Sequence, residues 1–239
     1  MRASLVLMAA LAIGCGAAQR PLPPGACSPM PEGEDARPWE RRGYRLPVPW
    51  FAPRRGAARP RVVLQVFSDF ECPYCARATP TLDRVIEEYG ACVQVVWRNR
   101  PMPYHPHAAL AARAATEVYA QRGDAAFWTY HDRLFARQDE LSRALLEREA
   151  EALGLDMAAF AAALDGDAHQ HVIDRDRAAI TRIELEAGTP SFFINGHVLT
   201  GAQPLSAFTA RIDTELSEAR ALVAAGTPRA SVYEAATAR

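Results

Sequence analysis

The most informative segment of the sequence is Phe67-Ser68-Asp69-Phe70-Glu71-Cys72-Pro73-Tyr74-Cys75. It begins at the end of a short run rich in β-branched residues, Val62 to Phe67, which is typical of a buried strand. A helical pattern follows from about Pro73 to Tyr89. Proline is favoured in the first turn of a helix because its missing N–H would have no partner there. The motif therefore predicts a strand, a short turn and a helix, with Cys72 at the helix N-terminus.

The position predicted for Cys72 favours a reactive thiolate. Free backbone N–H groups and the helix macrodipole stabilise a negative charge at a helix N-terminus. In such surroundings the pKa of a cysteine falls from about 8.5 to roughly 3.5–7.5. Cys75 lies one turn further along, where it can close a disulfide with Cys72. We expect Cys72 to be exposed and Cys75 to face inward, and we interpret the pair as a redox site.

Two other uses of a cysteine pair stay open, namely a zinc site and an inert structural disulfide. Zinc needs two further ligands at close spacing. The sequence offers no second pair among Cys15, Cys27 and Cys92, and neither His105 nor His107 completes a tetrahedral set. The change from strand to helix at the motif favours the redox interpretation, for which we expect no metal and no cofactor.

The N-terminus resembles an export signal over residues 1–18. One arginine precedes an apolar run, Leu5 to Ile13, that is too short to anchor the chain across a bilayer. The run ends in a bacterial lipoprotein-like pattern, in which Cys15 would be lipidated and the protein held at the outer membrane, facing the periplasm. Ordinary cleavage after Ala18 is the alternative. Either route predicts a periplasmic protein in an oxidising compartment.

The remainder of the chain divides by composition. Residues 19–43 are rich in proline, glycine and charge and are expected to form a flexible linker. Residues 44–226 suit one domain, with a helical insertion at about 104–187, and residues 227–239 are expected to be a C-terminal tail. The net charge of −1 shows no basic excess, so no nucleic-acid partner is expected.

Further elements follow from local patterns. A short strand is expected over Tyr44 to Val48, a loop at Arg54-Arg55-Gly56 and a buried strand from Val93 to Trp97. Helical signals continue from Pro106 to about Ala187, with a break at Gly123. The pair Asn195-Gly196 lies between two apolar runs, which is the strongest short signal for a β-hairpin.

Several titratable or reactive side chains receive no chemical role. His131 shares a helix face with aromatic residues and is expected to be packed in the core. His169 and His171 are expected in a solvated turn. Cys92 begins a strand and is most simply a small buried residue, although a disulfide with Cys27 stays open.

Together these motifs resemble the exported DsbA-like thiol:disulfide oxidoreductases. The resemblance runs from about Tyr44 to Gly226 and implies an α/β thioredoxin fold with an inserted helical subdomain. It rests on four features, which are the residue 67–75 motif, the interior helix residue Pro80, the segments His105-Pro106-His107-Ala108 and Phe127-Trp128, and the stretch Gly188-Thr189-Pro190-Ser191-Phe192.

The resemblance implies roles for individual residues. Cys72 and Cys75 would be catalytic, and Pro73 and Tyr74 would meet substrate and help to set the reduction potential. The Thr189-Pro190 bond would be cis and face the dithiol, where the backbone of Thr189 would bind an extended substrate.

The expected activity is the introduction of disulfides into exported proteins. Substrates would be unfolded or partly folded exported proteins with free thiols, and a membrane redox partner would recycle the enzyme. A disulfide reductase or isomerase of the same fold is an alternative. Another is a tethered, chaperone-like peptide-binding protein without redox turnover.

One departure from the thioredoxin pattern concerns proton transfer. Many thioredoxin-fold enzymes carry a buried acid six positions before the first cysteine, where this sequence has Val66. Proton transfer to Cys75 would then depend on water or on Glu71. A charged Glu71 beside Cys72 would also oppose thiolate formation.

Overall fold

The structure, a computed structural model, describes residues 44–183 and 188–238. Five strands form one sheet in the order β1-β3-β2-β4-β5, in which β2 is parallel to β3 and the other neighbours are antiparallel. The strands are β1 (Arg54–Gly56), β2 (Val62–Ser68), β3 (Val93–Asn99), β4 (Ser191–Ile194) and β5 (His197–Thr200).

Seven helices accompany the sheet in the described part of the chain: α1 (Pro73–Tyr89), α2 (Ala108–Ala136), α3 (Arg143–Glu151), α4 (Met157–Asp165), α5 (Gln170–Thr181), α6 (Leu205–Ala224) and α7 (Val232–Thr237). Short 3-10 turns occupy Gln138–Glu140 and Arg229–Ser231. The break expected at Gly123 is confirmed, because this residue has a φ of 73° inside α2. None of the helices in these ranges is both long and apolar enough to cross a bilayer.

The two faces of β2 are buried against different parts of the chain. Val62, Leu64 and Val66 join the main core with α1, α6 and the helical insertion. On the opposite face, Phe67 packs with Leu46 of the N-terminal segment and Ile180 of α5. Burial on both faces explains the nearly continuous apolar run of this strand. The α/β fold with inserted helices, predicted from sequence, is confirmed.

The first strand lies elsewhere than predicted. Residues 44–48 form no strand, and the Tyr44 N–H makes one backbone hydrogen bond, 2.8 Å long, to the carbonyl of Gly196. The expected loop at Arg54–Gly56 is β1 instead, since the edge of β3 offers it a row of backbone partners. The hairpin turn is confirmed, with φ of 44° at Asn195 and 87° at Gly196. A Cβ at Gly196 would lie 2.6 Å from the Tyr44 carbonyl oxygen, so a glycine is needed there.

The predicted tail is also wrong for most of its length. After Gly226 the chain forms α7, whose Val232 is buried. The Tyr233 hydroxyl donates to the carbonyl oxygen of Leu46 at 2.5 Å and accepts from Gln65 Nε2 at 2.9 Å. Two ends of the domain therefore meet on one face of the sheet. The sequence does not predict this contact, because Tyr233 makes it through its hydroxyl oxygen alone.

We expect Tyr233→Phe to destabilise the protein by about 1–2 kcal/mol, because two hydrogen bonds are lost in a largely buried place. Gln65 keeps its other bond to the Leu46 carbonyl, 2.8 Å long, which limits the loss. Urea unfolding monitored by circular dichroism measures the change. Tyr104→Phe removes a hydroxyl from a side chain that is 69% exposed and should leave stability unchanged.

A buried ion pair fixes the end of β3 against α5. Arg98 and Asp176 are 2% and 1% exposed, and Arg98 Nε lies 2.7 Å from Asp176 Oδ1. The second Asp176 oxygen accepts the Asn99 N–H at 2.8 Å, and Arg98 also bonds the Gln65 amide oxygen. Full pairing is what makes such charges tolerable inside a protein.

Several expectations fall on residues 1–43, which lie outside the described residues. They are the export signal, the lipidation of Cys15 and the linker, and all three stay predictions. Cys92 is disulfide-bonded, so it is more than the small packing residue expected from sequence. Cys27, the partner considered for it, lies in the undescribed segment.

Candidate active site

Helix α1 begins where the sequence predicted. Pro73 is its first residue, and Cys72 is the N-cap with extended backbone angles, φ −78° and ψ 120°. The Cys72 carbonyl accepts the N–H groups of Cys75 at 3.0 Å and Ala76 at 3.2 Å. Both thiols are free, so the structure shows the reduced state.

Cys72 is more covered than expected. It is 5% exposed, close to the 2% of Cys75. The Thr189 carbonyl oxygen lies 3.3 Å from Cys72 Sγ, and the Gln138 amide donates to the Cys72 carbonyl at 3.0 Å. The expectation of an open thiol was wrong because it ignored the segments that pack on the start of α1.

The two thiols have opposite pKa shifts. The pKa of Cys72 is lowered from 9.0 to about 5, chiefly by a hydrogen bond from the Cys75 side chain. Burial opposes this shift, and hydrogen bonds from the Thr189 side chain and from the backbone N–H groups of Tyr74 and Cys75 support it. The pKa of Cys75 is raised well above its ordinary value, chiefly by burial. At neutral pH the geometry thus favours a thiolate on Cys72 and a thiol on Cys75.

We expect iodoacetamide to modify Cys72 first when the reduced protein is treated near pH 6. At that pH most Cys72 is thiolate and Cys75 is not, and the thiolate is the nucleophile. The labelling rate should fall by half near pH 5, as measured by peptide mass spectrometry, and labelling of this peptide should vanish in Cys72→Ser. Preferential labelling of Cys75 would reverse the roles assigned here.

The loop before β4 faces the dithiol. The Thr189-Pro190 peptide bond is cis, as the resemblance implied. Ser191 pairs with Phe67 across the antiparallel β2–β4 ladder, which brings this loop to the end of β2 from which the dithiol turn leaves. Pro190 is buried and Thr189 half-buried. A substrate at Cys72 would therefore meet the Thr189 backbone.

Pro73 and Tyr74 form the exposed side of the motif. Both are exposed, and 53% of Tyr74 is accessible. The Arg77 guanidinium lies 4.1 Å from the centre of the Tyr74 ring. These two residues are placed where a protein substrate could contact them, on the surface next to Cys72.

Asp69 is a site residue that sequence reasoning missed. It is 2% exposed, and one oxygen accepts the Glu71 N–H at 2.8 Å. The other lies 2.8 Å from the Met102 nitrogen and 2.7 Å from His105 Nδ1. Asp69 therefore ties the dithiol turn to the loop after β3. An aspartate directly after a strand, two residues before an N–H it accepts, is a local signal for such a turn.

Of the two routes considered for proton transfer to Cys75, water and Glu71, the route through Glu71 finds no support in the geometry. Its carboxylate accepts the His107 N–H at 2.6 Å and lies 3.1 Å from His107 Nδ1. It is thus engaged at the start of α2. Ser68, also missed, is the side chain that hydrogen-bonds Cys75. Nothing in the local sequence pattern distinguishes this serine from a turn residue.

The prediction is confirmed for one histidine of the helical region and wrong for another. His131 is 1% exposed, packs edge-to-face on Trp97, and has a pKa lowered by burial, so its prediction as a core residue is confirmed. His169 is buried rather than solvated, because its Nε2 lies 2.5 Å from Glu117 Oε2. No cluster of histidine, cysteine and carboxylate side chains in the described ranges could hold a metal ion.

Comparison with known families agrees with this geometry. A family model described as thioredoxin matches residues 52–214, more than half of the chain. The chain belongs to the thioredoxin family. Family membership and the paired cysteines at the start of α1 together make this thioredoxin-family protein an oxidoreductase of the thiol:disulfide class.

Curated relatives of this thioredoxin-family chain are larger proteins. It is 37% identical over 174 residues to the Na(+)/H(+) antiporter NhaA 3 of Salinispora tropica, covering 70% of this chain and 25% of the antiporter. The chain is also 37% identical over 159 residues to the antiporter NhaA of Herminiimonas arsenicoxydans. The chain spans about a quarter of the length of these relatives.

Solved structures support a DsbA-like form of the thioredoxin fold. Oxidised BdbD from Bacillus subtilis superposes with a TM-score of 0.66 at 20% identity, covering 73% of this chain and 97% of that one. The catalytic domain of Proteus mirabilis ScsC superposes with a TM-score of 0.59 at 26% identity, covering 70% and 90%. The thioredoxin fold with inserted helices is common to all three.

Proposed function

We propose that this protein introduces disulfides into exported proteins through the Cys72–Cys75 pair. The observation that carries the proposal is the low pKa of Cys72, about 5, beside a neighbour whose pKa is raised. A stable thiolate is a good leaving group, so a Cys72–substrate disulfide is readily resolved and the reduced enzyme is favoured. Both effects favour the oxidising direction over reduction or isomerisation.

The reaction has two exchange steps. A substrate thiolate attacks Cys72 Sγ of the oxidised enzyme, so that a substrate–Cys72 bond forms and the Cys72–Cys75 bond breaks. Cys75 leaves as a thiolate and takes up a proton, because its pKa is raised. A second substrate thiolate then attacks the substrate sulfur and releases Cys72. Two substrate thiols have become a disulfide, and the enzyme disulfide has become a dithiol.

The surroundings of the dithiol assist both steps. The Cys75 thiol donates to the Cys72 thiolate as it leaves, which is the largest cause of its low pKa. The Thr189 carbonyl beside Cys72 Sγ offers an acceptor to an extended substrate backbone. Contacts through the main chain do not depend on side chains, so unfolded proteins with free thiols suit this cleft.

Partners and location form part of the proposal. The reduced enzyme must be reoxidised, and a membrane redox partner would accept its two electrons. The apolar N-terminal run and Cys15 support export to the periplasm with a lipid anchor. Mass spectrometry of the mature N-terminus tests the anchor, since a free Gln19 terminus would show ordinary cleavage.

The reduction potential tests the direction of exchange. We expect equilibration in glutathione buffers to give a value near the oxidising end of the thioredoxin-fold range, about −120 mV rather than about −270 mV. The wild-type protein should also speed the oxidation of a reduced, unfolded substrate. A Cys72→Ser, Cys75→Ser double variant should not. A strongly negative potential would favour a reductase, and undiminished biological activity of the double variant would favour peptide binding without turnover.

A further inference from the structure

A cavity of about 330 Å³ opens after the C-terminal end of β3. Residues 100–103, which follow β3, form one wall, and Arg177, Ile180 and Thr181 of α5 line another. The wall after β3 is mainly apolar, being Pro101, Met102 and Pro103. The cavity is therefore an apolar recess with an arginine on each side.

Among the described residues, the guanidinium of Arg100 has an unsatisfied nitrogen and no carboxylate partner. Its Nη1 atom is buried and has no hydrogen-bond partner, and burial lowers the pKa of its guanidinium. Within residues 44–183 and 188–238, neither Arg100 nor Arg177 forms a salt bridge. A buried guanidinium nitrogen without an acceptor is unfavourable. A ligand that brings an anionic oxygen into the cavity would remove this cost.

Hydrogen bonds connect the cavity to the dithiol turn. The Arg100 N–H donates to the Ser68 carbonyl at 2.9 Å, at the ends of the parallel strands β2 and β3. The Met102 N–H donates to Asp69 Oδ2 at 2.8 Å, and the Asp69 carbonyl accepts the Cys72 N–H at 3.2 Å. The cavity and Cys72 thus lie at the same end of the parallel strands, where β2 and β3 finish.

We propose that the cavity binds a carboxylate side chain of the protein substrate, a few residues from the cysteine that reacts at Cys72. The proposal rests on the proposed function and adds a side-chain preference to it. The planar guanidinium of Arg100 suits a carboxylate because it can donate two parallel hydrogen bonds. Pro101, Met102 and Pro103 would contact the apolar part of the same segment.

The preference can be measured with pairs of two-cysteine peptides that differ only by glutamate or glutamine at one position, one to four residues from a cysteine. Glutathione disulfide serves as terminal oxidant, so each turnover gives one peptide disulfide and two glutathione thiols. We expect at least one glutamate peptide to have a KM about tenfold below that of its glutamine twin, as for one charge-assisted hydrogen bond. The kcat values should be similar.

Two variants separate this site from general charge effects. Arg100→Gln should abolish the difference in KM between the glutamate and glutamine peptides. Arg59→Gln removes the same charge from an exposed residue before β2, at the opposite end of the parallel strands, and should retain the preference. Equal KM values for both peptides in the wild type would overturn the proposal.

A binding measurement makes the test independent of redox chemistry. The best glutamate peptide, with serine in place of both cysteines, is titrated calorimetrically into the oxidised protein. We expect the Kd to rise about tenfold in Arg100→Gln. If no peptide is oxidised but this difference holds, the proposed function fails and the site stands. If peptides are oxidised without any difference in KM or Kd, the site fails and the function stands.

Discussion

A Cys75→Ser variant should accumulate as a mixed disulfide with its substrates, whereas a Cys72→Ser variant should form none and lose all detectable exchange. In the wild type, Cys75 lies one helical turn from Cys72 and its side chain hydrogen-bonds the Cys72 sulfur. A mixed disulfide forms when the Cys72 thiolate attacks a disulfide of an exported protein, and the other substrate sulfur leaves as a thiolate. In the wild type, a Cys75 thiolate can then attack Cys72 Sγ, which closes the Cys72–Cys75 disulfide and releases the substrate. Serine keeps the hydroxyl donor but cannot carry out this attack.

The adducts can be detected on non-reducing gels of cells that produce the variant, as bands removed by dithiothreitol. The Cys72→Ser, Cys75→Ser double variant is the matched control, because it keeps the cleft beside Thr189 and lacks both thiols. Adducts that persist in Cys72→Ser would show that Cys75 or another cysteine is the attacking residue. The assignment of Cys72 as nucleophile would then be wrong.

Acidification should destabilise the reduced protein by about 3 kcal/mol between pH 7 and pH 4, relative to Cys72→Ser. The folded pKa of Cys72 is about 5, below its ordinary value of 9.0. The unfolded chain therefore binds more protons between these values, and stability rises with pH across that window. The contribution is full above pH 9 and is lost as pH falls through 5. At pH 7 it corresponds to two pKa units, each worth about 1.4 kcal/mol.

Urea unfolding of both proteins across pH 4 to 8, under reducing conditions, measures the difference. Subtracting the Cys72→Ser values removes the titration of all other groups. The oxidised protein provides a second control, because its Cys72 does not titrate. A difference between the reduced wild type and Cys72→Ser that stays constant with pH would contradict the low pKa, and with it the argument for the oxidising direction.

Local patterns in the sequence were sufficient for the centre of the fold. The start of α1 at Pro73 and the turn at Asn195-Gly196 were predicted because proline and glycine act on the backbone of their own segment. The core position of His131 followed from helical spacing. In each case the deciding physics lies within a few residues, so a single sequence contains it.

Features that depend on distant partners were not predictable in this way. Asp69 becomes important only when folding brings it to Met102 and His105, more than thirty residues away. His169 is buried because Glu117, on another helix, bonds it. The exposed fraction of Cys72 was misjudged for the same reason. A polar side chain leaves no periodic pattern in the sequence from which its partner could be predicted.

The Gln138 amide has a consequence for motion. It lies in the 3-10 turn between α2 and α3, within the inserted helices, and donates to the carbonyls of Phe70 and Cys72, at 2.8 Å and 3.0 Å. Any swing of the insertion away from the sheet must break both bonds or pull on the backbone that holds the sulfur. The inserted helices and the reactive thiol are therefore mechanically coupled. A large partner that displaces the insertion would therefore shift the backbone of Cys72 without contacting that residue.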